Sequence, residues 1–234
     1  MIWRFDDFFS KLNKKRMNNF FNLSEKNNIA QRFIGELRDV TVQNDRMRFR
    51  KNLERIGEIL AYELSKTLNY KARTVETPLG EAVINEPSQK IVLATILRAG
   101  LPLHQGFLNY FDDADNAFIA AYRKHKRDGS FEINLEYVSC PDLTDCVLVI
   151  IDPMLATGAS MSITLQQLEQ YGKPAEIHIV SAIGSRAGLE HIQRVYPKAK
   201  VWFGALDEEM TAKSYIVPGL GDAGDLSYGE KMQR

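Results

Sequence analysis

The stretch "CVLVIIDPMLATGAS", residues 146–160, decides the fold that this sequence predicts. Its first six residues are apolar, and a short continuous apolar run is typical of a strand that is covered on both faces of a sheet. The run ends at Asp152, small and hydroxyl-bearing residues follow, and a helical pattern begins after them. A buried strand that passes through such a turn into a helix is the repeating unit of parallel α/β sheets.

Strand-like and helix-like segments alternate on both sides of this stretch. Apolar or alternating runs predict further strands at 90–97, 116–122, 131–139, 176–183 and 199–206. Local patterns also predict helices at 47–68, 101–110, 160–171 and 185–195. Two short strands around a Pro78–Leu79–Gly80 turn are expected within 72–84. We therefore expect an α/β fold with a mainly parallel sheet flanked by helices, in which 131–139 is one arm of an exposed hairpin.

Length, net charge and hydrophobic pattern limit the number of domains and the kinds of partner that this chain can have. The chain has 234 residues, enough for one large α/β domain or two small ones. Thirty Lys and Arg residues balance thirty Asp and Glu residues, so the formal net charge is zero. The total charge therefore favours neither a nucleic acid nor a membrane surface as a partner. No apolar run approaches the roughly 18 residues that a membrane helix needs.

The cysteines and the N-terminus bear on location and organisation. Cys140 and Cys146 are too few for a disulfide framework, and they fit a reducing cytoplasm. Residues 1–16 carry five basic and two acidic residues with no clear period. We expect them to be a loosely attached extension of a single domain over 17–234, with Met17 as an alternative start.

A ligand site is expected at the ends of three predicted strands, after residues 97, 122 and 151, because ligands bind at the carboxyl ends of such strands. Arg98 follows the first of them, and its guanidinium can bind pyrophosphate oxygens through two parallel hydrogen bonds or form a surface ion pair. After the second, "YRKHKRDGS" (122–130) is either a solvated hairpin tip or a mobile lid that brings positive charge over an anion. A nuclear-targeting or RNA-binding role for this cluster is a weaker alternative.

The turn after residue 151 suits a phosphorylated sugar. The carboxylate of Asp152 can accept hydrogen bonds from a ribose diol or help to hold a hydrated metal ion. "ATGAS" (156–160) then offers successive backbone N–H groups at a helix N-terminus, which favours an anion. Neither the Walker pattern nor the Gly-x-Gly-x-x-Gly pattern is present. The alternative is a capped turn in which Asp152 and Thr157 bond only to local backbone.

Three separated motifs resemble those of one enzyme family. "VIIDPMLATGAS" (149–160) is similar to the phosphoribosyl pyrophosphate (PRPP) binding motif of phosphoribosyltransferases, in the form used by the uracil phosphoribosyltransferase family, where Pro153 replaces a second acid. "ILRAGLPL" (96–103) and "YIVPGLGDAGD" (215–225) agree with it. The resemblance runs from about residue 30 to the end. It implies a type I phosphoribosyltransferase fold with a β-hairpin lid and a small C-terminal base-binding hood.

The same resemblance implies a reaction and its partners. In pyrimidine salvage, PRPP and uracil give UMP and pyrophosphate, and PRPP enters as its magnesium complex rather than at a protein metal site. The family resemblance also implies a homodimer or a higher homo-oligomer. Whether GTP acts as an allosteric activator is left open.

The family motifs carry over residue by residue. PRPP is implied to contact Arg98, Arg123, Asp152, Pro153, Met154, Leu155, Ala156, Thr157, Gly158, Ala159, Ser160 and Asp222. Uracil is implied to contact Ile216, Gly221, Asp222 and Ala223. The catalytic residues are implied to be Arg98 and Arg123, which stabilise the departing pyrophosphate together with magnesium, and Asp222. No general base is evident, although Asp222 is placed to influence the uracil proton.

The C-terminal stretch 215–229 contains four glycines and is either a flexible tail or a docked loop. The apolar residues 215–218 before the glycines favour docking. Backbone groups of a docked loop can distinguish uracil from cytosine, because the two bases present opposite hydrogen-bonding groups at position 4 and a mismatch leaves buried polar groups unpaired.

Two residues depart from the family pattern. Ala159 stands where the family usually has glycine, and its methyl group is tolerated if φ stays negative. Leu226 stands where the family usually has arginine, which puts that arginine's contact in doubt. Two rival functions are a non-catalytic regulator that binds RNA or a protein and a transferase for another base. The zero net charge speaks against the first, and "YIVPGLGDAGD" speaks against the second.

Overall fold

The computed structural model describes residues 19–125 and 131–231. Of residues 121–125 and 131–136 it describes the backbone alone. The extension over 1–16 and the alternative start at Met17 lie outside the described residues, and the division into 1–16 and 17–234 stays a prediction.

The described residues form twelve strands and six α-helices. The strands in chain order are β1 (Phe20–Asn22), β2 (Tyr70–Thr77), β3 (Gly80–Pro87), β4 (Ile91–Leu97), β5 (Asp115–His125), β6 (Phe131–Ser139), β7 (Val147–Ile151), β8 (Met154–Leu155), β9 (Glu176–Ser185), β10 (Lys200–Asp207), β11 (Glu209–Met210) and β12 (Ile216–Val217). The helices are α1 (Ala30–Arg38), α2 (Arg46–Ser65), α3 (Leu101–Leu108), α4 (Ala159–Leu168), α5 (Arg186–Val195) and α6 (Ala223–Tyr228). Short 3-10 turns lie at Leu23–Glu25 and Glu169–Tyr171.

One mixed sheet organises the fold. Its strands lie in the order β1-β10-β9-β7-β4-β5-β6, and β8 also pairs with β9. Neighbours along this order are parallel, except that β5 and β6 are antiparallel. The predicted α/β fold with a mainly parallel sheet is confirmed, and β6 is an arm of the β5–β6 hairpin, as the sequence indicates.

Helices cover both faces of the sheet, which explains the apolar run in β7. Val147, Val149 and Ile151 pack in one cluster with α1, α2 and α3, whereas Leu148 and Ile150 pack in a second cluster with α4 and α5. None of these five side chains is more than 1% exposed. Burial of side chains of this size contributes roughly 1.5–3 kcal/mol each. Because both faces are covered, the strand has no position for a polar residue until it reaches the sheet edge.

Strands β2 and β3 form a separate antiparallel hairpin. It confirms the two strands predicted around the Pro78–Leu79–Gly80 turn and extends them to residues 70–87. Leu79 at the tip is fully exposed, and Val83 is 71% exposed. No residue of this hairpin belongs to either buried cluster. A two-stranded hairpin is marginally stable by itself in water, so this one contributes little to folding within one copy of the chain.

A buried histidine lies near the start of β9. Trp202 Nε1 donates a hydrogen bond to His178 Nδ1 at 3.1 Å, and the two rings stack with centroids 5.9 Å apart. Nε2 of the histidine faces Glu176, and Lys200 bonds to the same carboxylate. Burial, assisted by the charge of Lys200, lowers the pKa of His178 to about 4. The histidine is therefore neutral in the folded protein at neutral pH.

This histidine makes folding sensitive to acid. The unfolded chain binds a proton at His178 near pH 6.5, whereas the folded chain binds it near pH 4, so stability is lost as the pH falls through this window. Between pH 7 and pH 5 we expect a loss of about 2 kcal/mol in the free energy of unfolding from this residue. Urea unfolding of the parent and of His178→Phe at both pH values measures the difference. An equal pH dependence in the two proteins would contradict the assignment.

Candidate active site

Two neighbouring strands bring Arg98 and Asp152 to one edge of the sheet. Strands β4 and β7 are parallel, and Thr95 pairs with Ile151. Arg98 follows the end of β4, and Asp152 follows the end of β7, so both residues leave the sheet at its carboxyl edge. Strand β5 lies on the other side of β4 and runs in the same direction.

The β7–α4 turn (residues 152–160) is fixed by pairing with β9. Its residues Met154 and Leu155 form β8, which pairs with Ile183 and Gly184. Leu155 is 2% exposed and Pro153 is buried, so their side chains face the interior rather than the sheet edge. The half-buried Asp152 accepts a long hydrogen bond from Met154 N at 3.4 Å.

The end of the β7–α4 turn forms the N-terminus of α4. Gly158 has φ = 77°, a left-handed conformation that residues with a Cβ rarely adopt. Ala159 begins the helix, and it is not among the described non-glycine residues with positive φ, so its methyl group is tolerated as expected. Thr157 Oγ1 accepts a bond from Ala159 N at 3.3 Å, which is one of the local backbone contacts in the alternative that the sequence left open. The first amides of a helix lack partners within the helix and favour an anion.

The first turn of α5 supports the β7–α4 turn from behind. Ser185 Oγ donates to Ala156 O at 2.5 Å and accepts from Gly188 N at 2.9 Å. A side chain at Gly188 would collide with the carbonyl oxygen of Ala156, so only glycine allows the two backbones to approach this closely. Sequence reasoning did not identify this support, because the two segments are far apart in the chain.

Arg98 contacts the C-terminal segment (residues 215–229). Its Nη2 donates to Gly229 O at 2.9 Å and lies 3.4 Å from Asp225 Oδ1. Its guanidinium lies 5.9 Å from the centre of the Tyr228 ring, and Arg50 lies at 5.8 Å from the same ring. The side chain is 40% exposed, and its buried Nε has no partner among the described residues. The ion pair that the sequence left as an alternative is present, and the guanidinium retains a donor.

The C-terminal segment is docked, as the apolar residues before its glycines indicate. Ile216, Leu220 and Ala223 are buried in the cluster that packs against α1, α2 and α3.

An ion pair between Asp207 and Arg38 also holds this segment. Asp207 at the end of β10 bonds to both Nη atoms of Arg38 at 2.8 Å and accepts from Gly219 N at 3.0 Å. Arg38 also donates to Gly219 O at 3.0 Å. The Arg38–Asp207 ion pair therefore binds both the backbone N–H and the backbone carbonyl of Gly219.

The segment ends in α6, which the sequence did not predict. Asp222 caps this helix by accepting a bond from Asp225 N at 3.0 Å. Gly221, Asp222 and Asp225 line an open cleft of about 900 Å³, whose opposite wall is the start of α2 with Arg46 and Arg50. The side chains of Ile216 and Ala223 lie in the core, and the predicted contact of these two residues with uracil stays a prediction.

The segments described above lie within a region of the chain that matches a known protein family. The model of the family described as "Uracil phosphoribosyltransferase" matches residues 24–229. The chain belongs to the uracil phosphoribosyltransferase family.

Curated members of the uracil phosphoribosyltransferase family are similar over most of the chain. The uracil phosphoribosyltransferase of Porphyromonas gingivalis is 54% identical over 211 residues, which cover 90% of this chain and 98% of that protein. The uracil phosphoribosyltransferase of Pyrococcus furiosus is 33% identical over 203 residues, which cover 86% of each. Among solved structures, the AQ2163 protein from Aquifex aeolicus superposes with a TM-score of 0.81 at 29% identity, covering 91% of this chain and 99% of that one.

Two residues of this member of the uracil phosphoribosyltransferase family, Arg123 and Leu226, differ in how far the structure describes them. The backbone of Arg123 lies in β5 opposite Ile133, but its side chain is not described and residues 126–130 lie outside the described residues. The lid and its arginine stay predictions. Leu226, in place of the usual arginine, packs against the core and lines the cleft, so an apolar contact stands at that position.

Proposed function

We propose that this chain transfers the phosphoribosyl group of PRPP to uracil and releases UMP and pyrophosphate, a step of pyrimidine salvage. One observation supports the proposal most strongly. Arg98 contacts the C-terminal segment at the same sheet edge where the β7–α4 turn lies. Family membership over residues 24–229 supports the same reaction.

In this proposal, each part of the edge has a separate task. The amides at the start of α4, with the Thr157 and Ser160 hydroxyls, bind the 5′-phosphate, and the Asp152 carboxylate accepts hydrogen bonds from the ribose diol. Arg98, together with Arg123, binds the pyrophosphate and stabilises its negative charge as the bond to C1 of the ribose breaks. Holding both substrates in line supplies much of the remaining rate enhancement.

The C-terminal segment reads the base. We propose that the backbone near Ile216 and at residues 221–223 faces the uracil edge, and that Asp222 contacts both the uracil and PRPP. The cleft beside Gly221 and Asp222 supports this proposal, because it leaves their polar backbone accessible. Magnesium belongs to the substrate in this proposal, and it would neutralise part of the pyrophosphate charge. Asp152, a carboxylate at the same edge, is suited to a hydrated magnesium ion.

Product analysis with several bases tests the function. The protein is incubated with PRPP, magnesium and each of uracil, cytosine, adenine, guanine and hypoxanthine, and nucleotide and pyrophosphate are quantified. We expect UMP with uracil and a preference over cytosine of about 10³-fold or more in kcat/KM. Absence of UMP at every magnesium concentration would overturn the proposal, and faster reaction with another base would overturn the base assignment.

We further propose that the protein works in the cytoplasm. No described helix combines the length and apolarity that crossing a membrane requires. Cys140 and Cys146 are free thiols, and burial raises the pKa of both to about 11, so reactive thiolate is scarce at neutral pH.

We propose a homo-oligomer in which the β2–β3 hairpin contacts a second copy of this chain. The exposed Leu79 and Val83 support this proposal, since a hairpin without a covered face gains stability from a partner. We expect Leu79→Asp combined with Val83→Asp to lower the mass measured by light scattering to that of one chain. Val40→Asp, at an exposed apolar residue outside the hairpin, is the matched control. An unchanged mass in the double variant would contradict the proposed contact.

A further inference from the structure

Ser162 and His191 form a contact behind the β7–α4 turn that the proposed mechanism does not use. Gly158 O accepts two hydrogen bonds from Ser162, from its backbone N at 2.9 Å and from its Oγ at 3.0 Å. The same Oγ lies 2.9 Å from His191 Nε2 on α5. On the far side of the ring, Arg194 Nη2 lies 3.2 Å from His191 Nδ1.

The supply of protons fixes the direction of these bonds. A serine hydroxyl has one hydrogen, and Gly158 O can only accept. Ser162 Oγ therefore donates its hydrogen to that carbonyl. Ser162 Oγ must therefore accept from His191, which places a proton on Nε2. The guanidinium of Arg194 can only donate, so Nδ1 is the acceptor. These roles assign the Nε2–H form to His191, and each donor in this series of bonds points toward Gly158.

The ring also packs against the turn itself. A Cβ placed on Gly158 would lie 3.0 Å from His191 Cδ2, so the imidazole covers the left-handed residue directly. Tyr196, at the end of α5, adds a long bond of 3.4 Å from its hydroxyl to Ser162 O. Together with Ser185, which caps the start of α5, the helix thus contacts both Ala156 and Gly158.

The planarity of the peptide bond connects this contact to a ligand. The carbonyl of Gly158 and the N–H of Ala159 belong to one trans peptide, so they point in opposite directions. Bonds that pull the carbonyl into α4 direct the Ala159 N–H out of the helix, and a chain of bonds in one direction polarises that peptide further. The long 3.3 Å bond from Ala159 N to Thr157 is one that an anion can displace.

We propose that His191 and Ser162 are positioning residues that aim the Gly158–Ala159 peptide at the 5′-phosphate of PRPP. The proposal rests on the proposed function, because it takes the anion at the α4 N-terminus to be that phosphate. Neither side chain touches the substrate.

Kinetics of Ser162→Ala and His191→Ala test the proposal. We expect KM for PRPP to rise about fivefold to twentyfold in each, the range for loss of one or two hydrogen bonds, while KM for uracil and kcat change less than twofold. His191→Gln, which keeps an N–H donor near the Nε2 position, should restore most of the PRPP affinity. Glu190→Ala, at an exposed residue of the same helix, is the control for nonspecific effects.

A second readout does not depend on activity. In 15N-resolved NMR spectra, the histidine signal that His191→Gln removes should show the Nε2–H tautomer at neutral pH. An Nδ1–H tautomer, or unchanged KM for PRPP in both alanine variants, would overturn the proposal while leaving the function intact. A parent protein that forms no UMP would count against the proposed function, and the tautomer would still decide whether the bonds run as assigned.

Discussion

Arg98→Ala is expected to lower kcat/KM for PRPP by about 10²- to 10³-fold. The guanidinium is the cation that the described residues place at the end of β4, and two charge-assisted hydrogen bonds to pyrophosphate are among the strongest that a side chain can make. Its effect should grow as the bond to the leaving group breaks, so both kcat and KM for PRPP should change. Steady-state kinetics with PRPP varied at saturating uracil measure the effect.

Arg50, which lines the cleft beside Gly221 and Asp222, is the comparison for the contact of Arg98 with Tyr228, and the comparison uses kcat/KM for PRPP at saturating uracil. It lies beside the same Tyr228 ring at 5.8 Å and donates to Ser227 O at 2.7 Å, yet it belongs to α2 and not to a strand end. If Arg98 acted only by holding the C-terminal segment, Arg50→Ala would cause the same loss. We expect a much smaller change in kcat/KM for PRPP in Arg50→Ala, and Arg98→Lys should fall between the parent and Arg98→Ala because it keeps the charge without the planar fork. Equal losses in the two alanine variants would rule out the pyrophosphate role.

Asp207→Ala is expected to cost about 3 kcal/mol in the free energy of unfolding. The carboxylate is 8% exposed, and its removal leaves the Arg38 guanidinium without its ion-pair partner and Gly219 N without an acceptor. Because Gly219 lies in the C-terminal segment, KM for uracil should also rise. Urea unfolding at pH 7 and kinetics with uracil varied measure the two effects.

The conservative variant separates the two roles of this carboxylate. Asp207→Asn keeps an oxygen that can accept from Gly219 N but removes the charge that faces Arg38, so its loss of stability should lie between the parent and Asp207→Ala. In the background of Arg38→Met, Asp207→Ala should cost less than it does alone, since the uncompensated cation is gone. A loss below about 1 kcal/mol in the single Asp207→Ala variant would contradict the anchoring role.

The central strands of the sheet were predictable because they are buried on both faces. Continuous apolar runs such as 146–151 have few other uses in a soluble chain, and each predicted strand of the sheet has a counterpart within a few residues. Boundaries were less accurate where a helix tightens at its end. The predicted helix 160–171 is α4 over Ala159–Leu168 followed by a 3-10 turn over Glu169–Tyr171.

Elements and contacts that depend on distant residues were missed. Helix α1 is nine residues long, and the spacing of its buried residues Ala30, Ile34 and Leu37 is a signal that could have found it. The three residues of β1 and the six of α6 are too few to carry a period. Arg38 and Asp207 meet across 169 positions, and no local pattern encodes such a pair.

The candidate site likewise contains residues that the sequence predicted and residues that it missed. Motif matching found Arg98 and the β7–α4 turn, because their residues are contiguous in the chain. Ser185 and His191, which support that turn from α5, carry no motif of their own and become visible only when the helix is packed.

The hairpin over residues 70–87 has a consequence for the evolution of this protein. Selection for a stable fold acts weakly on residues that touch neither core, so substitutions there should accumulate quickly unless a neighbouring molecule restrains them. If positions 79 and 83 stay apolar in many lineages, a neighbouring molecule contacts the hairpin. If they change to charged residues, assembly places no constraint on it.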